Sequence, residues 1–249
     1  MKFDLGAVRN QGLRDHMEDF YYFDTNFGGR SEIFGGVYDG HGGDWVAEMA
    51  KKELHRYFAK NLANGLKISE AFIIAYEEFS NKICSTEIDG GSCAASFFIT
   101  NGRIYFANVG DVRILIVGST KVEQITIDHH PNVLEEMERI KRFQGIIKNG
   151  KRLSIPFGSA ANSRALGDWE YRSSGLIPTP DTGLHLIKTD DLVLVTASDG
   201  IFEKMTNEEA AKVVKNEKTA SGMATSLVKA ALDSGSRDNV TVLVVRFVS

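Results

Sequence analysis

The chain has 249 residues, 43% of them hydrophobic, and only four prolines, enough apolar material for a sizeable core and too little bias for a disordered or fibrous protein. A net charge of −4 and a pI near 5.9 give no nucleic-acid footprint. Two cysteines, Cys84 and Cys93, cannot build a disulfide framework or a thiolate zinc site; they read as small buried residues, which fits a reducing compartment.

The N-terminal MKFDLGAV has an Asp at position 4 and no apolar h-region, so it does not read as a signal peptide. Residues 2–8 read as a strand, RNQGLRDHMED as a loop and FYYFD as a second strand. The run IFGGVY reads as a buried strand ending in Asp39, and three of the next four residues are glycines. A carboxylate and an imidazole, Asp39 and His41, on a tight turn could bind a metal and move a proton, although Asp-Gly is also an ordinary turn dipeptide. Helical periodicity follows over 44–62, with Val46, Met49, Ala50, Leu54, Tyr57, Phe58 and Leu62 on one side. A second helix over 68–86 has Ile68, Phe72, Ala75, Phe79 and Ile83 as its stripe.

SCAASFFIT, RIYFANVG, VRILIVG and VEQIT then read as an antiparallel meander. Residues 132–143 read as a helix with Leu134, Met137 and Ile140 on one side, and the Asn-Gly in GIIKNGKRLSI as a hairpin. The stretch 158–183 reads as irregular, and a stretch that long suggests a functional flap. LHLIK and DLVLVTAS are strands, a Thr206–Glu209 capping box opens a helix, another helix follows, and NVTVLVVRF closes as a buried strand. No apolar run approaches the ~18 residues of a membrane span. No linker, repeat or low-complexity stretch divides the chain, which predicts a single domain over 1–249. Helices come in consecutive pairs and do not alternate with strands. The expected fold class is therefore α+β: a central sandwich of two antiparallel sheets flanked by pairs of helices.

Several apolar runs meet an acid. Asp39, Asp111 and Asp199 each follow one, Asp238 precedes the last strand, and Glu18 and Asp19 occupy an early loop. Each alone reads as a turn or a solvated edge. Strand ends of a sandwich can converge on one rim, however, where several carboxylates would raise each other's pKa values unless cations neutralise them. Four such groups carry −4, which two divalent ions would cancel. No His or Cys pair has zinc spacing, so hard oxygen ligands select Mg²⁺ or Mn²⁺. Calcium competes on ligand type, but no EF-hand loop is present.

Six motifs stand in order along nearly the whole chain. They are Arg14-Asp-His-Met-Glu18-Asp19, Val37-Tyr-Asp39-Gly40-His41-Gly-Gly, Asn108-Val-Gly-Asp111-Val-Arg113, Ser163-Arg-Ala-Leu-Gly-Asp168, Ala197-Ser-Asp199-Gly200 and Gly235-Ser-Arg-Asp238-Asn239. In these the sequence resembles the metal-dependent type 2C protein serine/threonine phosphatases. The resemblance implies hydrolysis of phosphoserine and phosphothreonine by a water or hydroxide bridging two Mg²⁺ or Mn²⁺ ions. It implies that Asp39 bridges the ions, with Glu18 and the Gly40 carbonyl on one and Asp199 and Asp238 on the other. Asp111, with Asp199, would match a weaker third site. Arg14 would bind phosphate, His41 would be the general acid, and Asp19 would help hold metal-bound water. Partners would be phosphorylated proteins, with no nucleic acid and no membrane. A monomer is expected, located in the cytoplasm, with the nucleus also open to it.

The chain departs from the family in having Gly91-Ser-Cys-Ala94 for Gly-Ser-Thr-Ala, Gly110-Asp-Val-Arg113 for Gly-Asp-Ser-Arg, and Pro180-Asp-Thr182 for Pro-Glu-Val. None removes an expected ligand. A pseudophosphatase that only holds phosphorylated partners is the alternative, and another two-metal hydrolase, such as a nuclease, a third. Arg164 and Asp168 read as an ion pair with each other.

Overall fold

The structure is a computed structural model that describes residues 2–86, 88–156 and 158–248. Two antiparallel sheets lie face to face. The first has the order β1 (Lys2–Asn10), β14 (Val240–Val248), β13 (Asp191–Ala197), β6 (Arg113–Gly118), β7 (Val122–Gln124). The second runs β12 (Asp181–Leu186), β5 (Arg103–Val109), β4 (Gly91–Thr100), β3 (Glu32–His41), β2 (Phe20–Phe27), with β11 (Leu166–Gly167) also paired to β4. Helices α1 (Trp45–Ala63) and α2 (Ile68–Cys84) cover the second sheet. Helices α5 (Asn207–Lys215) and α6 (Ala220–Asp233) cover the first, and the one-turn α4 (Asp199–Phe202) follows β13.

The side-chain pattern dictates these layers. Along β3, Ile33 and Val37 enter the core between the sheets with Phe97, Ile114, Leu194 and Leu243, while Phe34 and Tyr38 face the helices. A strand covered on both faces needs no polar alternation, which is why it reads as a continuous apolar run. In α1, Val46, Ala50, Leu54 and Phe58 recur every fourth residue and are buried. Phe58 stacks on Phe72 of α2 with ring centroids 4.2 Å apart. Phe58→Ala would open a cavity there at a cost of ~3–5 kcal/mol. The capping box of α5 forms: Thr206 N–H donates to Glu209 Oε2 at 2.8 Å and Glu209 N–H to Thr206 Oγ1 at 3.2 Å.

Three expectations need correction. The meander is split: β4 and β5 stay in the second sheet, and β6 and β7 belong to the first. The chain changes sheet at Gly110-Asp111, which sets an acid at the edge between the layers. Helix α3 (Leu134–Arg142) buries only part of the stripe expected of it: Ile140 is buried and Met137 half-buried, but Leu134 is 64% exposed and Glu136 is buried with Ile140. The stretch 158–183 is also more ordered than expected. It contains β10 (Gly158–Ala160), β11, a 3-10 turn over Trp169–Ser174 and the start of β12. Strand β10 joins β9 (Arg152–Ile155) and β8 (Ile146–Lys148) in a small third sheet, whose Asn149-Gly150 hairpin was legible in advance.

Candidate active site

The strand ends of both sheets meet at one edge around a cavity of about 410 Å³. Asp39 lies within β3, opposite Cys93 of β4, so the acid is held by the ladder and not by the turn beyond it. Asp111 sits on the step between the sheets. Its turn is fixed from below, because the Gly110 N–H donates to Nδ1 of the buried His129 at 3.1 Å. Asp199 opens α4 directly after β13, and Asp238 precedes β14. All four line the cavity, with Arg14, Glu18, Gly40 and His41.

Asp39, Asp111 and Asp199 each offer an oxygen such that the three lie within 4.8 Å of one another, and Asp199, Glu203 and Asp238 form a second such group. Burial pushes Asp39 well above the usual carboxylate range, and Asp19, Asp199, Asp111 and Asp238 push it further. Burial, then Asp111, Asp238 and Glu203, do the same to Asp199. Among the described residues no Lys or Arg pairs with Asp39, Asp111 or Asp199; the nearest ion pair joins Arg14 Nη2 to Asp238 Oδ2 at 2.5 Å. Glu203 was missed by sequence reading. Its signal was available, because Asp199 and Glu203 are four residues apart at a helix start and share a face.

Glu18 and Asp19 reach the same place by other contacts. Asn239 accepts the Glu18 N–H on Oδ1 at 2.7 Å and donates from Nδ2 to the carbonyls of Gln11 and His16, both at 2.9 Å. This pins the early loop to the start of the last strand. The Glu18 carboxylate lines the cavity but accepts the Gly43 N–H at 2.7 Å and stands outside both oxygen groups. Gly40 permits that close packing: a Cβ there would lie 2.5 Å from the Glu18 carbonyl oxygen. Asp19 is buried and accepts from Ser198 Oγ at 2.8 Å. Burial pushes its pKa up to about 6, with the Ser198 bond opposing.

His41 donates from Nε2 to Asp168 Oδ2 at 2.8 Å. His41 lines the cavity, and 43% of its side chain is exposed there. Burial opposes a charged ring, but Asp168 outweighs it, and His41 titrates above the usual histidine range. The pair sits over Gly91, where a Cβ would lie 2.5 Å from Asp168 Oδ2 and 2.7 Å from His41 Nε2. Asp168 itself has φ 51°, a left-handed conformation that Asp tolerates better than most residues. The expected Arg164–Asp168 pair is therefore corrected. Arg164 and Asp168 are not on one helical turn; Arg164 instead binds Glu136 and Asp181.

The donor set fits a hard divalent cation. It consists of carboxylates that burial and mutual repulsion leave uncompensated, a need that a bound cation meets. Cys93 also lines the cavity, but burial, then Asp111 and Asp39, push its thiol well up, so it offers no thiolate.

Residues 3–240 match the family model described as Protein phosphatase 2C. "Probable protein phosphatase 2C 59" of Oryza sativa subsp. japonica is 34% identical over 253 residues, covering 99% of this chain and 76% of its own length. "Probable protein phosphatase 2C 69" of Arabidopsis thaliana is 34% identical over 258 residues, covering 99% and 70%. The fold is shared with a serine-threonine phosphatase 2C from Toxoplasma gondii, with a TM-score of 0.85 at 21% identity, covering 99% of this chain and 95% of that one. It is also shared with a C. elegans sex determining protein, with a TM-score of 0.87 at 19% identity, covering 99% and 65%. On these matches the chain belongs to the protein phosphatase 2C family, whose members are metal-dependent serine/threonine protein phosphatases.

Proposed function

We propose that the chain hydrolyses phosphoserine and phosphothreonine in proteins by the direct attack of water, with two divalent ions held by its acidic rim and His41 as general acid. The observation that carries this reading is the group Asp39, Asp111 and Asp199, which no Lys or Arg pairs among the described residues, set beside the His41–Asp168 pair in one cavity. Asp39, in the first oxygen group, would serve both ions; Asp199, which is common to both groups, would hold one with Asp238, and Glu18 with the Gly40 carbonyl the other. Asp111 with Asp199, and Glu203 beside them, would supply a weaker third position. When bound, Mg²⁺ or Mn²⁺ supplies an activated water and neutralises phosphoryl charge.

The chain's own residues do the rest. Arg14 has five N–H donors and uses one on Asp238, so its fork has capacity for phosphate oxygens. Asp19, buried behind Asp39 and held by Ser198, would help hold metal-bound water. Asp168 orients His41 and favours its protonated form, which would give a proton to the departing serine or threonine oxygen. An alkoxide is a poor leaving group, so that proton is worth ~10²–10⁴-fold.

The test is hydrolysis of a phosphothreonine peptide with Mn²⁺, with Mg²⁺ and with excess EDTA, followed by His41→Ala. Turnover should require metal, and His41→Ala should hurt a phosphoserine peptide far more than p-nitrophenyl phosphate, whose leaving group needs little protonation. Phosphopeptide binding without turnover under any metal would replace this reading with the pseudophosphatase. Equal losses on the two substrates would remove His41 from the acid role.

A further inference from the structure

The charge of the chain reverses beside the cavity. From Ile140 to Gly167 the sequence holds Lys141, Arg142, Lys148, Lys151, Arg152 and Arg164 and no Asp or Glu, in a chain of net charge −4. Arg164 is neutralised inside by Glu136 and Asp181. Among the described residues the other five form no ion pair. This is also the stretch that builds the small third sheet and runs along the cavity wall.

Arg152 opens β9, and its guanidinium is fixed from one side. Nε donates to Ser159 Oγ and Nη2 to the Ser159 carbonyl, both at 2.8 Å. Three of its five N–H donors remain. Arg152 and Ala161 line the catalytic cavity and also an adjoining cleft of about 550 Å³, completed by His130, Asn132, Asn149 and Lys151. Among the described residues no carboxylate lines that cleft. The two spaces thus have opposite characters, a carboxylate floor beside a carboxylate-free cleft that carries a rigid Arg and a Lys. A planar fork with free donors is matched by an oxyanion, and the surrounding unpaired cations offset the repulsion that the acidic floor exerts on an anionic peptide.

We infer that the cleft of Arg152 and Lys151 is a specificity subsite that takes a second anionic group of the substrate, near the phosphorylated residue being hydrolysed. This rests on the phosphoprotein-hydrolysing reading above. The group is an oxyanion, either an Asp or Glu carboxylate or a second phosphate; both use the same donors.

The experiment measures kcat/KM for three phosphothreonine peptides of equal length. One has neutral flanks, one has flanking Asp residues and one has a second, flanking phosphothreonine. Wild type, Arg152→Ala, Lys151→Ala, the double variant and Lys141→Ala, which lies outside the cleft in a neighbouring depression that meets it at Asn132, are compared at low and at about 0.3 M salt. The anionic peptides should exceed the neutral one by about fivefold at low salt, the scale of one exposed ion pair. The preference should fall with salt, vanish in the double variant and persist in Lys141→Ala. A gain with the second phosphate alone assigns the subsite to phosphate; a gain with both assigns it to oxyanions in general. A wild-type ratio near one, or a preference that survives the double variant, overturns the inference. So does a uniform loss across peptides, which would make Arg152 a strut between β9 and β10. If no peptide is turned over, the hydrolytic reading falls, and the same ratio taken from dissociation constants still judges the subsite.

Discussion

Two buried acidic regions of this molecule are built in opposite ways. Glu136 on α3 is 1% exposed, yet it is surrounded by donors. Arg139 reaches Oε2 at 2.6 Å and Oε1 at 2.9 Å, Arg164 reaches Oε1 at 2.7 Å, and Ser163 donates to Oε2 at 2.5 Å. Burial alone would raise its pKa, but the two guanidinium groups and Ser163 bring it down to about 2. Asp39 and Asp199 are half-buried at the cavity and, among the described residues, have no such partners, and burial with mutual repulsion drives them up. One chain solves the same problem of a buried carboxylate with its own arginines in one place and leaves it unsolved in another. A buried charge left unpaired is costly, so the unsolved site is the one that expects a cation from outside.

The largest expected contrast comes from Asp39→Asn. It should lower phosphopeptide turnover by ~10³-fold, because an interaction with bound ions is worth several kcal/mol. The same substitution should leave the metal-free protein at least as stable as wild type in urea, since it removes repulsion. Glu136→Ala should do the reverse. It strands two guanidinium groups and should cost ~3–5 kcal/mol in urea denaturation. If Asp39→Asn destabilised the metal-free protein as much as Glu136→Ala does, the two regions would not differ as described.

Acid should separate them as well. Asp19, Asp39 and Asp199 have raised pKa values, so the folded metal-free state binds more protons than the unfolded one. Their contribution to stability is therefore lost as pH rises above the ordinary 3.8, through about 6 for Asp19. Glu136 has the opposite sign: its contribution is full above the ordinary 4.5 and is lost as pH falls through about 2. Metal at about 100 times its dissociation constant should restore ~2.7 kcal/mol near neutral pH, several degrees in thermal melting, and less at about pH 5. A metal-induced shift that does not shrink on acidification would contradict the account.

A smaller effect is expected from Asp168→Asn. Turnover of phosphoserine should fall by about tenfold. Because Asp168 holds the His41 pKa up, the alkaline limb of the pH–rate profile should move to lower pH. An unmoved limb would make Asp168 a structural partner only.

The rim acids were legible because each is marked by the end or start of an apolar strand, and strand ends of a sandwich can converge on one rim. The sheet change at Gly110-Asp111 was not legible, since two short strands joined by a tight step read the same whether they pair or part. Asp168 was hidden for a related reason. Its four-residue spacing from Arg164 suggests a pair only on a helix, and the backbone there runs through β11 into a left-handed residue. Val112, a departure from the family pattern, is buried in the core between the sheets, so it changes packing and no ligand. Nothing local to Glu136 announces that Ser163 and Arg164 will pack against it.

The most direct test is Mn²⁺ titration by calorimetry at about pH 6 in two buffers of different ionisation enthalpy. Saturable binding with net proton release, lost in Asp39→Asn, is the expected result, because carboxylates with raised pKa values must give up protons to bind metal. No saturable binding, or binding without proton release that Asp39→Asn leaves intact, would contradict the claim that this rim is built for cations.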